Sequence, residues 1–380
     1  MQKFNSVYSS AVYSENFNND SIALIDIKAK SKLVFLATGG TGGHIFPALA
    51  LKEVLESHGF KVRVLADAKF AKYHPFDQEH LLIPAANFAN KSPIKIIASL
   101  LTLAKGFIKA LCYVVKESPD LIIGFGGYAT YPTMLAAIIS GKKVILHEAN
   151  SVVGKVNRLL LWKAKYLATG FQSIKGVAAK YRDKVIYTGN PVRSEITASP
   201  LKIQEGRLSI LIIGGSQGAK VFSSIIPEVI LNLPKEMQKK LFICQQVREE
   251  DVESIKNKYA QAGIAGEIQS FFNDMNEKLA QADLVIARAG ASTIAELIEV
   301  GRPAIFIPYP SAADNHQYYN AKAIVDLGAG WLVPESKDSS AQISEIIKSI
   351  DKDPSVLIAY AAKLKEMDQD ASENIVKLLY

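Results

Sequence analysis

Short apolar runs recur along the chain, each closed by small or polar residues and followed by a stretch with helical spacing. Runs at 33–37, 61–65, 121–124, 144–147, 166–169 and 185–187 form a first set. The pattern then restarts at 209–213, 241–244, 284–287 and 304–307. Runs this short, bounded by turn residues, predict buried strands. Their alternation with helices predicts parallel sheets. The segment 194–208 between the two sets has weak periodicity and reads as a linker. The expected fold class is α/β, with two doubly wound, Rossmann-like domains at 31–193 and 209–380 and a cleft between them. The helical stretches at roughly 343–379 offer a segment that crosses back to the first domain. Residues 1–20 are rich in Asn, Ser and Tyr and lack the apolar core of a secretory signal, so a flexible leader over 1–30, or an upstream start choice, is expected rather than a functional arm.

Polar groups at strand ends are densest in 284–320. The run at 284–287 ends in Arg288-Ala289-Gly290-Ala291, followed by Ser292-Thr293 and a helical pattern from Ile294 to Val300. Ser292 or Thr293 is expected to cap that helix, with Glu296 completing a capping-box-like pattern. A small-residue turn before a helix leaves unpaired N–H groups and the positive end of the dipole, which suits a phosphate. Glu296 lies about one turn further in, within reach of a sugar diol. The helix expected from Asp314 brings Asn315, His316, Gln317 and Asn320 to the same rim. In open α/β sheets, that carboxyl edge is where ligands bind.

Two glycine-rich turns end other strands. The first is Thr38-Gly39-Gly40-Thr41-Gly42-Gly43-His44, before a helix expected from about Pro47 to Ser57 with Pro47 in its first turn. The second is Gly214-Gly215-Ser216-Gln217-Gly218-Ala219. Neither is the dinucleotide fingerprint: counted from Gly40 the third position is Ile45, and counted from Gly214 the second is Ser216. No Walker A pattern is present either. Asp67 closes the second strand, where NAD enzymes place a ribose-binding acid, and this keeps an NAD-binding double Rossmann protein as an alternative.

Composition narrows the classes. The chain has 380 residues, 49% hydrophobic and 21% charged, which is enough apolar material for two cores and excludes global disorder. A formal net charge of +7 suits an anionic partner. Cys112 and Cys244 stand alone in apolar surroundings, so neither a disulfide framework nor a metal-ligand pattern is expected. Asp351-Lys352-Asp353 matches the Asp-x-Asp of metal-dependent glycosyltransferases in form. It precedes Pro354 in a charged stretch and reads as a solvated helix end.

Taken together, 39–47, His147-Glu148-Ala149-Asn150, Gly189-Asn190-Pro191-Val192-Arg193, 214–219 and the 284–320 stretch resemble the MurG family of N-acetylglucosaminyltransferases. The resemblance runs from about Leu33 to the C-terminus. His147-Glu148-Ala149-Asn150 stands where the family often has His-Glu-Gln-Asn, which leaves Asn150 in place. The resemblance implies a GT-B fold and an inverting transfer of N-acetylglucosamine from UDP-N-acetylglucosamine. The acceptor would be undecaprenyl-pyrophosphoryl-N-acetylmuramyl-pentapeptide, with no metal and no other cofactor. Carried over, donor contacts fall on Thr41, Gly42, Gly43, Asn150, Arg193, Ser216, Phe272 and Gln317, with Glu296 on the ribose hydroxyls. Phe272 replaces an aliphatic residue whose main chain meets the uracil.

Such a transfer needs a base for the attacking hydroxyl and a group to stabilise the departing UDP. His44 is the first candidate base; the alternative is that it caps its turn or orients the acceptor pyrophosphate. Glu148 is the second, or else it bonds backbone. Arg193 and the turns at Ser216 and Ala291 are expected to meet the leaving-group charge.

Residues 94–116 have helical period. Ile97, Leu100, Leu101, Ala104, Ile108, Leu111 and Val115 share one side, and Lys95, Lys105, Lys109 and Lys116 another. Lysines inside the run argue against a span, each costing about 2.5–3.5 kcal/mol at mid-bilayer. A basic amphipathic helix at an anionic membrane surface fits, joined by Phe88 and Lys91; the other reading is a core-packed helix with a solvated face. The expected location is peripheral, on the cytoplasmic face of the bacterial inner membrane, with no nucleic-acid partner. Another nucleotide-sugar enzyme of this architecture, a glycolipid synthase or a UDP-sugar 2-epimerase, is the remaining alternative.

Overall fold

The computed structural model describes residues 32–73, 80–87, 92–215, 219–367 and 370–380. The expected leader 1–30 lies outside them. The first half runs β1 (Leu33–Thr38), α1 (Gly42–Ser57), β2 (Lys61–Ala66), α2 (Phe70–Tyr73), β3 (Leu81–Leu82), α3 (Pro93–Glu117) and β4 (Leu121–Gly124), then α4 (Tyr131–Ile139), β5 (Lys143–Glu148), α5 (Lys155–Leu160), β6 (Tyr166–Thr169) and β7 (Val185–Tyr187). The second runs β8 (Leu208–Ile213), α6 (Lys220–Leu231), α7 (Lys235–Gln238), β9 (Leu241–Gln246), α8 (Val252–Gln261), β10 (Ala265–Gln269) and α9 (Met275–Gln281), then β11 (Leu284–Ala287), α10 (Ala291–Val300), β12 (Ala304–Phe306), α11 (His316–Val325) and β13 (Gly330–Leu332). Three helices close the chain: α12 (Ser339–Lys352), α13 (Ser355–Met367) and α14 (Ala371–Lys377).

Strand order is β3-β2-β1-β4-β5-β6-β7 in one sheet and β10-β9-β8-β11-β12-β13 in the other. The pairings are parallel throughout, as in β1 with β2 (Val34 opposite Val62) and β8 with β11 (Leu211 opposite Val285). Buried on both faces, these strands read as continuous apolar runs, which is why the sequence showed them. β8 begins at Leu208, inside the expected linker, because the Leu208 N–H bonds the Lys240 carbonyl at 2.9 Å. β3, β10 and β13 were not anticipated. β3 and β13 are very short, and β10 (Ala265-Gly266-Glu267-Ile268-Gln269) is an exposed to half-buried edge strand without a continuous apolar run.

α1 starts at Gly42, earlier than the pattern predicted, and Pro47 sits inside the helix instead of in its first turn. Proline has no N–H, so the Gly43 carbonyl four residues back has no helical partner. The Ser292 hydroxyl of the second half donates to it at 3.4 Å.

Each sheet carries apolar cores on both faces. One second-half core includes Ala149 and Phe171 from the first half and Ile196 from the segment between them, so an apolar seam joins the two. α14 crosses back: Ile375 and Val376 pack with Val34, Leu36, Leu51 and Leu55 of the first half. Glu373 meets the His58 imidazole at 2.7 Å.

Candidate functional site

In both sheets the carboxyl ends of parallel strands lead into helix starts, and residues there meet between the halves: Ser292 reaches Gly43, Arg193 reaches Glu296 and Asn320 reaches Asn150. The second sheet carries a concavity of about 800 Å³ whose walls follow its strand ends: Gly214 and Gly215 after β8, Arg248 after β9, Arg288 and Gly290 after β11, Tyr309 after β12 and Glu335 after β13. Thr293 and Gln317 complete this side, with Lys220 at the start of α6. Ser216 lies outside the described residues. Gln317 accepts from the Tyr309 N–H at 2.9 Å, which fixes its side chain at the rim. α10 begins at Ala291 with extended Gly290 as its cap, and neither Ser292 nor Thr293 caps it. The expected capping box is absent because the Ser292 hydroxyl turns to Gly43 and Glu296 to Arg193.

Glu296 is nearly buried, and its Oε1 accepts from Arg193 at 3.0 Å. Burial raises the Glu296 pKa, and the Arg193 guanidinium opposes the rise. Arg193 also meets Glu195 at 3.2 Å and stacks 4.9 Å from the Phe46 ring centroid. The acid and the arginine that sequence assigned to different parts of a ligand thus satisfy each other.

Across the cleft, Thr41 caps α1 by position, Gly43 is exposed and Gly42 buried. His44 Nδ1 lies 3.2 Å from the Thr41 hydroxyl. The ring is flanked by Gly126 and Gly127, both at positive φ. A Cβ on Gly127 would stand 3.0 Å from His44 Cε1, so glycine is required there. Burial pulls the His44 pKa down to about 4, and His316 from α11 lowers it further; Asp67 and a hydrogen bond with Gly39 act against this. The ring is therefore neutral at physiological pH. Asp67 does not stand free for a ribose. It accepts from the Gly40 N–H at 3.0 Å and the Tyr128 hydroxyl at 3.2 Å, and so holds the glycine turn.

Glu148 is 4% exposed and accepts four donors: Asn150 N–H, Asn150 Nδ2, Gly154 N–H and Asn157 Nδ2. Burial raises its pKa and these bonds hold it back. Asn150 Oδ1 is taken by Asn320. Asn320, expected at the rim, has no exposed surface; it is drawn inward by partners in both halves. The Phe272 ring is buried in the second-half core, so only its backbone is left for a ligand. Asp351 accepts from Lys240 and Asp353 from Ser355 at helix ends away from the cleft.

Sequence reasoning missed three cations that line the concavity, Lys220, Arg248 and Arg288. Arg288 donates to the Ile307 and Pro308 carbonyls, meets Glu335 at 2.8 Å, and stacks between Phe222 and Tyr309. Its place directly after a strand was the available signal.

A second surface lies on α3. Leu101 and Ile108 are each 60% exposed and Val115 66%, whereas Ala110 and Val114 are buried. The reading of this helix as core-packed with a polar outer face is therefore reversed: the apolar stripe points out. Leu111 is the exception, half-buried against the core. Lys95, Lys105 and Lys116 are exposed along one edge of the stripe, and Lys109 is half-buried. Ile139, Leu159 and Trp162 on the neighbouring α4 and α5 region add exposed apolar area. Phe88 and Lys91 lie outside the described residues.

The chain matches the glycosyltransferase family 28 N-terminal domain over residues 34–169 and the glycosyltransferase family 28 C-terminal domain over 209–375. It is 38% identical over 361 residues to a UDP-N-acetylglucosamine--N-acetylmuramyl-(pentapeptide) pyrophosphoryl-undecaprenol N-acetylglucosamine transferase of Paramagnetospirillum magneticum, covering 93% of this chain and 97% of that protein. A protein of the same name from Agrobacterium fabrum is 38% identical, over 88% and 89% of the two chains. The crystal structure of Acinetobacter baumannii MurG superposes with a TM-score of 0.75 at 29% identity, covering 92% of this chain and 99% of that one.

Arg193→Ala strands the Glu296 carboxylate. Glu296, whose folded pKa burial already raises, then binds its proton more tightly still, so the variant's extra loss is small below the unfolded carboxyl pKa and grows as pH rises through the folded one. The loss of unfolding free energy relative to the parent chain should be larger at pH 8 than at pH 5, on the scale of about 1–3 kcal/mol for a buried group without its partner. Equal losses at both pH values would show that the pair does not hold Glu296 ionised.

Proposed function

This chain belongs to glycosyltransferase family 28, and from that membership we propose that it moves N-acetylglucosamine from UDP-N-acetylglucosamine to undecaprenyl-pyrophosphoryl-N-acetylmuramyl-pentapeptide, the step from lipid I to lipid II in peptidoglycan synthesis. The observation that carries this reading is near full-length similarity to transferases of that name. On it, residues 31–193 form the acceptor half and 209–380 the sugar-nucleotide half.

The transfer inverts the anomeric carbon. The muramyl 4-hydroxyl oxygen bonds to that carbon from the face opposite UDP, its proton passes to a base, and UDP leaves with the electron pair. We assign the base to His44, whose neutral imidazole is able to accept a proton. Glu148 already accepts four hydrogen bonds, which favours an organising role over proton transfer. Charge on the departing diphosphate would meet Lys220, Arg248 and Arg288, which line the concavity, together with Arg193 beside Glu296 and the starts of α6 and α10. Glu296 would take the ribose hydroxyls, releasing Arg193 toward the phosphates. Thr41, Gly42, Gly43, Asn150, Gln317 and the Phe272 backbone complete the donor contacts in this reading.

Incorporation of labelled N-acetylglucosamine from the UDP sugar into a short-chain lipid acceptor tests the assignment. Product is expected with the parent chain, and its absence alongside UDP-sugar epimerisation would favour the 2-epimerase alternative. His44→Ala should lower turnover by about 10²–10⁴-fold, the usual worth of a general base. Equal losses of turnover and donor affinity would assign His44 to positioning.

We further propose that the protein sits peripherally on the cytoplasmic face of the inner membrane, with α3 lying in the interface. α3 is long and apolar enough to span by length and composition. Lys105 and Lys109 in the middle of the run oppose a span, whereas an exposed apolar stripe edged by lysines suits an anionic lipid surface. Replacing Lys95 and Lys105 by Glu should weaken binding to anionic vesicles by at least about 30-fold, given roughly 1 kcal/mol per basic residue at such a surface. Transfer to a soluble acceptor should persist. Unchanged vesicle binding would remove α3 from the interface.

A further inference from the structure

Asn320 lies on α11 in the second half and has no exposed surface, yet its amide bonds both halves. Its Oδ1 accepts from the Ser151 N–H at 2.8 Å and the Ser151 hydroxyl at 2.9 Å, both in the first half. Its Nδ2 donates to the Ala289 carbonyl of its own half and to Asn150 Oδ1 across the cleft, each at 3.1 Å. Two acceptances and two donations use the whole capacity of the side chain. The orientation is unambiguous, because the Ser151 N–H is only a donor and the Ala289 carbonyl only an acceptor.

That direction propagates. Asn150 has to present Oδ1 to Asn320, so its Nδ2 turns to Glu148 Oε1 at 3.2 Å. Glu148 gathers the Gly154 N–H at 2.8 Å and Asn157 Nδ2 at 3.0 Å with its other oxygen. One line of oriented hydrogen bonds therefore runs from the end of β11, through α11, to the 148–154 loop of the other half. The seat is reinforced on either side. Arg158 lies 3.8 Å from Asp314, and the Lys175 ammonium 3.6 Å from the Tyr319 ring centroid.

We infer that Asn320 is a positioning residue: from the sugar-nucleotide half it sets the Asn150 amide and the 148–154 loop of the acceptor half, so that docking of the halves and assembly of that loop are one event. The inference rests on the transfer reaction proposed above and adds to it a residue that acts through Asn150.

Asn320→Asp keeps the shape and places a carboxylate oxygen against the Ala289 carbonyl and Asn150 Oδ1. Asn150 must then turn over and lose its bond to Glu148. Turnover should fall by about 30-fold or more, the scale of a buried group losing its partner. The KM for UDP-N-acetylglucosamine should rise with it, since the Asn150 amide that turns over is among the donor contacts proposed above. The deciding comparison repeats the change in an Asn150→Ala background, where it should cost less than about 3-fold more, because its effect passes through Asn150. Equal costs in both backgrounds, or parental turnover in Asn150→Ala, overturn the inference and leave the transferase assignment standing. Failure of that assignment appears separately, as a parent chain without transfer activity. Should Asn320→Asp not fold, Asn320→Ala removes the amide without adding charge and takes its place in the same cycle.

Discussion

Two sheets with their own cores meet along a seam, and the cleft has a defined shape only because directional contacts fix one sheet against the other. The apolar part of the seam, where Ala149, Phe171 and Ile196 join the second-half core, is non-directional and tolerates sliding. The amide of Asn320 does not tolerate it. A shift of the halves would leave three of its four hydrogen bonds broken, with the Ser151 N–H and hydroxyl buried and unmatched. Buried polar groups are costly when partly satisfied, so such a network selects one register.

The cleft is also charged in a particular way. Glu296 is held by Arg193 and Arg288 by Glu335, so two of the groups best suited to a nucleotide are already neutralised by partners. This keeps carboxylates and guanidiniums oriented in a low-dielectric site without leaving any of them bare. A ligand bearing hydroxyls and phosphates can exchange for these partners one contact at a time. His44 follows the same logic by another route, since burial and His316 keep it neutral.

Much of this could be read from residue pattern, and the remainder has physical reasons for being hidden. Strands such as β4 and β11 announce themselves because a strand covered on both faces must be apolar throughout. The glycine turns were legible because only glycine adopts the positive φ at Gly39, Gly40, Gly126 and Gly127. What stayed hidden depends on partners distant in sequence. The start of α1 was misplaced because Pro47 is accommodated by Ser292 from the other half. Ser292 looked like a helix cap for want of knowledge of Gly43. Asp67 resembled a free ribose ligand until Gly40 and Tyr128 were seen to occupy it. Asn320 read as a rim residue, since nothing local says that Ser151 will bury it. The outward stripe of α3 was ambiguous for a related reason: periodicity reveals that a helix has two faces and not which of them meets the protein.

The return of α14 to the first sheet carries a consequence for how the polypeptide is made. Val34 and Leu36 leave the ribosome long before Ile375 and Val376, which cover them. Until they follow, the nascent first lobe carries an uncapped greasy patch, the kind of surface that chaperones bind and that premature termination would leave permanently open to aggregation.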